Sequence, residues 1–372
     1  MANNYVLVIN PGSTTTKISI YQNETELAFE ELRHEAQELA QFSRLADQLD
    51  FRYGIITKFL QQKNFSGSDF IAVVGRGGLL RPITGGTYRV SSAMIIDLTS
   101  GRYGVHASNL GGLLADKFAA ALHIPAYIVD SVVTDEFQPV AYISGNAAIP
   151  RRSVFHALNQ KAAARAVAAE QGWQYDEKNL IVVHMGGGVT VGAHQHGRVV
   201  DATNGLDGEG PFGPNRTGAL PGLTTLQYVS DQKLNYADEV SLFVGEKAGL
   251  MSYFGTQNLD EIMAKVKSGN AFAKLVFKAL AYQIAKEIGV FATVLTGQVD
   301  GIVLTGGMAF NDQLVALIKQ RTAWIAPIFV HPGQSEMAAL NHGVQLVLAG
   351  QAKAKDYLTE SQKVAQKQAK YL

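Results

Sequence analysis

Cysteine is missing altogether from the 372 residues, which excludes disulfides, thiolate nucleophiles and cysteine-held zinc or iron–sulfur centres in one step. Nowhere do eighteen apolar residues run together, and residues 1–20 hold no basic stretch followed by an apolar one. Neither a membrane span nor an export leader is expected. A charge imbalance is missing too: 32 Lys and Arg face 32 Asp and Glu. With no basic block, the electrostatic footprint of a nucleic-acid or anionic-membrane binder is lacking. These absences lead to the expectation of a cytoplasmic protein with small-molecule partners, no nucleic acid and no membrane.

The length exceeds what one core usually supports, so two domains are expected. What the chain has in quantity is glycine, 37 residues of it, gathered at the ends of apolar runs, where a backbone must come close to a ligand. "YVLVINPGSTTTKISIYQ" (5–22) is a buried strand, a glycine turn rich in hydroxyls, and an alternating strand. The turn lacks the Gly-Lys pair and the following helix of a P-loop. It keeps freed N–H groups, hydroxyls, Lys17 and the Asn10 amide, all suited to an anion. The segment reads equally as a Thr-rich hairpin. "LIVVHMGGGVTVGAHQHGRVVD" (180–201) repeats the pattern with a triple glycine, while "FIAVVGRGG" (70–78) and "GIVLTGGM" (301–308) are strands ending in double glycine. Hairpin, strand, hairpin, strand suggests a duplicated unit, one copy in each half, facing across a cleft.

Helical spacing is present over 108–124, 156–172 and 272–295. An α/β fold of two duplicated domains follows, with expected boundaries of 1–152 plus 341–372 and 153–340. The polar, Lys-rich tail from Lys353 to Leu372 reads as an exposed helix or a partly frayed segment, without assigned function. The loop "DATNGLDGEGPFGPNRTGALPG" (201–222) is aperiodic and of a length that is uncommon within compact domains and often functional. It carries one arginine, Arg216. His106, His156, His184, Asp130 and Glu336 also sit at the ends of strands or helices, where open α/β sheets place ligands. Singly, each is an ordinary structural or solvated residue.

Six motifs in order resemble the butyrate kinase branch of the acetate kinase family, within the acetate and sugar kinase, Hsp70 and actin superfamily. They are "VINPGSTTTK", "VFHALNQKAAAR", "VVHMGGGVTVGAH", "DGEGPFGPNRTGALP", "VLTGGMAFN" and "HPGQSEMAAL", and they span nearly the whole chain. The resemblance implies two RNase H-like (actin-like ATPase) domains flanking a nucleotide cleft. It implies ATP or ADP with Mg²⁺, a small carboxylate as phosphoryl acceptor, and a homo-oligomer, dimer or higher. Asn10, Gly12, Ser13, Thr15 and Lys17 resemble the first phosphate turn; His184, Gly186, Gly187 and Gly188 the second; Gly306, Gly307 and Met308 the adenosine-binding turn. Arg216 and His156 resemble the pair flanking the transferring phosphoryl group, with Asn10 and Asp130 as further catalytic groups. Asn10, Asp130 and Glu336 resemble the metal-associated residues. Acetate kinases carry an arginine within the strand before a His-Gly-Gly turn; here Val73 and Val74 fill that strand. Arg76, with His106, is taken as the carboxylate contact instead. Two alternatives stay open: an acetate or propionate kinase, and an actin- or Hsp70-like ATPase with no carboxylate acceptor.

Overall fold

The opening residues form the expected hairpin. In the computed structural model, which describes residues 4–245, 247–333 and 336–371, β1 (Tyr5–Pro11) pairs antiparallel with β2 (Thr15–Gln22), Asn10 opposite Lys17. β3 (Thr25–Arg33) extends the meander. β4 (Phe70–Arg76), β5 (Thr87–Arg89) and β6 (Ala126–Val129) complete a six-stranded sheet of order β3-β2-β1-β4-β6-β5. β1, β4 and β6 are parallel, and β5 closes the edge antiparallel. The second sheet is built from β7 (Asn179–Met185), β8 (Val189–Gln195), β9 (Arg198–Ala202), β10 (Gly301–Gly306) and β11 (Ile328–Pro332), in the order β11-β10-β7-β8-β9. An antiparallel meander followed by parallel neighbours occurs twice, which is the duplication expected from the glycine clusters.

The unbroken apolar run of β7 follows from cover on both faces. Ile181, Val183 and Met185 pack with Leu280, Ile284 and Ile288 of the helix Ala271–Val294. Leu180 and Val182, pointing the other way, pack with Ala163, Ala164 and Val167 of the helix Ala157–Glu170. Each large aliphatic side chain so buried contributes roughly 1.5–3 kcal/mol. The long helix begins at Asn270, whose side chain accepts from the Ala273 N–H.

In the first sheet the glycines have a different purpose from the one read in the sequence. A Cβ on Gly75 would overlap the carbonyl of Gly111, and one on Gly111 would overlap the backbone of Arg76. β4 and the helix Asn109–Leu122 therefore touch backbone to backbone. Gly77 and Gly78 are held in the same way against Ser131 and Asn109. Close packing, not a ligand, requires these glycines.

The chain divides into two compact units, Met1–Asp135 with Ser335–Leu372, and Glu136–Gln334. Both boundaries lie earlier than those read from the sequence. Glu136 Oε2 accepts from Lys161 Nζ (2.7 Å) and from the Val199 N–H (2.8 Å), and Phe137 and Tyr142 pack with Phe155 and Val199. These contacts tie residues 136–152 to the second sheet. The helix Glu336–Leu348 belongs to the first, where the Gly343 carbonyl accepts from Thr87 Oγ1 at 2.8 Å.

The tail corrects a sequence expectation. In the helix Tyr357–Ala369, Tyr357, Ser361 and Val364 form a buried face, and the Tyr357 hydroxyl donates to Asp97 Oδ2 at 2.8 Å. Glu360 accepts from Thr84, and Gln368 donates to Asp135. A narrow i, i+4, i+7 stripe was hidden by the lysines around it. No helix among the described residues is long and apolar enough to cross a membrane.

Candidate active site

Parallel pairing of β1 with β4 and of β4 with β6 brings Asn10, Arg76 and Asp130, the residue just after β6, to the carboxyl ends of adjacent strands. This is the edge where open α/β sheets bind ligands. Asn10 Nδ2 donates to Glu336 Oε2 at 2.6 Å, and Arg76 Nη1 approaches the same oxygen at 3.3 Å. Asn10 and Glu336, both buried, thus meet across most of the chain length. Arg76 Nε is buried with no hydrogen-bond partner among the described residues. Asp130, in the left-handed region at φ 39°, accepts from the Gly86 N–H at 2.7 Å. His106 Nδ1 is engaged by Ser108 Oγ at 2.9 Å, at the start of the helix Asn109–Leu122. No group of three His, Asp or Glu suited to a metal ion occurs among the described residues. The described residues therefore offer no all-protein cage, only the one or two oxygen donors that a nucleotide-borne Mg²⁺ would need. Buried Glu336 and Asn10 fit that modest requirement, and Asp130 is next along the same edge.

The first glycine turn is held from beneath by a residue that the sequence reading missed. Arg52, fully buried on the helix Leu49–Gln62, donates from Nη1 to the carbonyls of Gly12 and Thr15, both at 2.9 Å. Nη1 also reaches Thr16 Oγ1 at 3.0 Å, and Nη2 reaches the Ser13 carbonyl at 3.0 Å. Three carbonyls are drawn down onto one guanidinium, which leaves Ser13 and Thr14 exposed at the tip. Burial pulls the Arg52 pKa down to about 10, still far above neutrality, so a cation lies directly under the turn. Lys17, on the same face as its pairing partner Asn10, lies 3.7 Å from Glu31.

His34 Nε2 lies 2.8 Å from Thr16 Oγ1, while its Nδ1 is buried without a partner among the described residues. Burial, then the nearby Arg52 charge, lowers its pKa from 6.5 to about 4. The unfolded chain therefore takes up this proton first. Stability is retained above pH 6.5 and declines as pH falls from 6.5 to 4, by roughly 3 kcal/mol in all. His34→Gln should lose roughly 2 kcal/mol less than the parent between pH 7 and 4.5, measured by urea unfolding. Equal losses in the two proteins would show that His34 is not the titrating group.

In the second unit, His184 is the last but one residue of β7, and Gly186–Gly188 turn the chain into β8. His184 Nδ1 meets Asn159 Oδ1 at 2.6 Å, and its ring stacks on His156 with centroids 4.0 Å apart. His156 Nδ1 lies 2.9 Å from Thr190 Oγ1. A Cβ on Gly188 would stand 3.2 Å from Arg216 Cγ and 3.6 Å from His156 Cε1. Glycine turn, arginine and histidine therefore converge, as their sequence company suggested. The loop carrying Arg216 is fastened to the turn by the Asn215 N–H, which donates to the Gly187 carbonyl at 3.1 Å. Arg216 donates to the Asn215 carbonyl (2.9 Å) and side chain (2.6 Å), both neutral acceptors. Among the described residues no carboxylate pairs with it, and burial alone lowers its pKa. A partly desolvated cation with no carboxylate partner among the described residues has the electrostatics of an anion site.

Beside this cluster lies a cavity of about 620 Å³ lined by Gly186, Gly187, Pro214, Gly307, Met308 and Phe310, among others. Its volume suits a nucleotide-sized ligand. Gly307 has open space where a Cβ would be, whereas Gly306, at φ 91°, packs on the Met185 backbone. The sequence reading also missed Asn159, Gln160 and Thr190. The one available signal was polar "NQK" inside an otherwise Ala-rich helix, all three residues buried.

The acetokinase family model matches residues 139–325. A chain from Enterococcus faecalis named "Probable butyrate kinase" is 51% identical over 352 residues, covering 95% of this chain and 97% of that one. Its counterpart in Listeria monocytogenes is 48% identical, covering 95% and 99%. The crystal structure of Porphyromonas gingivalis acetate kinase superposes with a TM-score of 0.76 at 18% identity, over 92% of this chain and 100% of that one. A propionate kinase from Francisella tularensis gives 0.73 at 14% identity, over 91% and 98%. At such identities the structures establish the fold, two duplicated actin-like ATPase units, and the sequence relatives establish the lineage. The chain belongs to the acetokinase family.

Proposed function

We propose that this ATP-dependent carboxylate kinase moves the γ-phosphoryl group of ATP reversibly to butyrate or a related short or branched fatty acid. A carboxylate oxygen forms the new bond to phosphorus as the bond to the β–γ bridging oxygen breaks, its electron pair leaving with ADP. The observation that carries the reading is Arg216: a half-buried guanidinium whose acceptors among the described residues are all neutral, beside His156 at the Gly188 turn. A fatty carboxylate is already ionised at neutral pH, with a pKa of about 4 to 5. Unlike an alcohol it needs no base; the difficulty is to bring two anions together. Cations and neutral donors meet that need, with Arg216, His156 and His184 around the equatorial phosphoryl oxygens.

Gly186, Gly187 and Gly188 on the second turn, and Gly12, Ser13, Thr15 and Lys17 on the first, take the phosphates. Gly307 and Met308 flank the adenosine. Asn10 and Glu336, with Asp130 alongside, are the groups that would hold Mg²⁺, which supplies charge neutralisation on the nucleotide oxygens when bound. Arg76, and with it His106, is the proposed contact for the substrate carboxylate. Butyrate, rather than a shorter acid, is supported by the names of the Enterococcus and Listeria relatives. The exposed Leu223, Leu226 and Tyr228 on the helix Gly222–Gln232 support assembly of two or more copies, and dependence on ATP supports a cytoplasmic setting. The reading is tested by ADP release: it should require a carboxylate, and release independent of any acid would favour a plain ATPase.

A further inference from the structure

Behind His156 runs a file of buried polar groups. Thr190 Oγ1 is 2.9 Å from His156 Nδ1. Gln160 Nε2 lies 2.9 Å from that hydroxyl and 3.1 Å from the Thr190 carbonyl. Gln160 Oε1 is 3.1 Å from His194 Nε2, and the Tyr175 hydroxyl is 2.8 Å from His194 Nδ1. Gln160, Thr190 and His194 are at most 1% exposed, so water cannot complete their hydrogen bonding and each proton must have a partner within the file.

The protons can then be assigned in turn. A carbonyl only accepts, so the Gln160 amide nitrogen must face Thr190 and its oxygen must face His194. His194 Nε2 therefore carries a proton. Burial first, then the charges of Lys161 and Arg165, hold this ring neutral, so His194 Nδ1 accepts from the Tyr175 hydroxyl. At the other end, Thr190 Oγ1 accepts from Gln160. Its own hydroxyl proton has one acceptor among its contacts in the described residues, His156 Nδ1. A side chain at Gly192 would overlap Gln160 Oε1, so β8 leaves this amide the room it needs.

We propose that Thr190 and Gln160 are positioning residues that hold neutral His156 as its Nε2–H tautomer, an uncharged donor for the anion being transferred. What meets that donor rests on the reading under Proposed function; the tautomer itself does not. The opposite tautomer would aim the Nε2 lone pair at phosphoryl oxygens and repel them.

The test is long-range proton–nitrogen NMR on the full chain near pH 8, with His156→Gln identifying the His156 signals. Nδ1 is expected to resonate as an unprotonated nitrogen and Nε2 as a protonated one. Thr190→Val should scramble this pattern and lower kcat roughly tenfold, with KM for ATP little changed, and Thr190→Ser should restore both. A wild-type His156 protonated on Nδ1 would overturn the proposal, as would an unchanged tautomer and turnover in Thr190→Val. If the valine variant fails to fold, the wild-type spectrum alone decides. A protein with the expected tautomer that phosphorylates no carboxylate would uphold the assignment and sink the kinase reading.

Discussion

Arg216→Ala is expected to leave a folded protein that still binds nucleotide but turns over at least a hundredfold more slowly. In the folded protein Arg216 bonds only to its neighbour Asn215 and has no carboxylate partner among the described residues, so little stability depends on its charge. Its partial burial instead raises the value of that charge to an incoming anion, because a cation withdrawn in part from water interacts more strongly than a fully solvated one. The loss should fall on kcat, where charge develops on the transferring group, and not on ATP affinity. A hundredfold corresponds to about 2.7 kcal/mol, within the range for removal of a single preorganised donor. Arg216→Lys should recover little, since one ammonium does not reproduce a planar fork of donors. Steady-state kinetics with a thermal melt as control makes the measurement; near-normal turnover in the alanine variant would take this arginine out of the mechanism.

Arg52→Met should damage both stability and ATP binding. The substitution keeps a long buried side chain but removes the donors to the Gly12, Ser13 and Thr15 carbonyls and to Thr16 Oγ1. Ser13 lies at an exposed tip and can turn to water, while Thr16 is fully buried. At about 1–3 kcal/mol for each buried group left unsatisfied, a loss of roughly 3 kcal/mol in unfolding free energy is expected. The turn should then sample conformations in which its N–H groups no longer converge, raising KM for ATP at least tenfold. Arg52→Lys is expected to fall short as well, because one Nζ cannot reach acceptors spread over both Nη1 and Nη2. Unchanged KM in a destabilised Arg52→Met protein would confine the residue to a structural role.

Local pattern carried most of the fold. The apolar run at 5–9 announced the buried strand found at Tyr5–Pro11, and spacing over 272–295 described a helix found at Ala271–Val294, because burial leaves a direct periodic imprint. Patterns that depend on distant partners were opaque. Nothing near Gly75 says that its neighbour will be the Gly111 backbone, so a packing glycine resembled a ligand-binding one. Arg52 is an ordinary helical arginine until the hairpin folds over it. Arg76 and Glu336 lie 260 residues apart, and only the return of the chain after β11 joins them. Tyr357 was concealed differently: a stripe of three buried residues is too narrow to register against a lysine-rich background.

The central claim is that the acceptor is a carboxylate of about four carbons, and the product tests it most directly. Acetate, propionate, butyrate, isobutyrate and valerate would each be incubated with Mg-ATP and hydroxylamine, which traps any acyl phosphate as a hydroxamate. Each buried methylene contributes about 0.8 kcal/mol, and 1.4 kcal/mol is a factor of ten. A slot shaped for butyrate should therefore favour it over acetate by roughly one to two orders of magnitude in kcat/KM. Hydroxamate formed best from butyrate or isobutyrate is the expected result. Acetate as the best substrate would overturn the chain-length assignment, and no hydroxamate from any acid, with ADP still released, would contradict the carboxylate kinase itself.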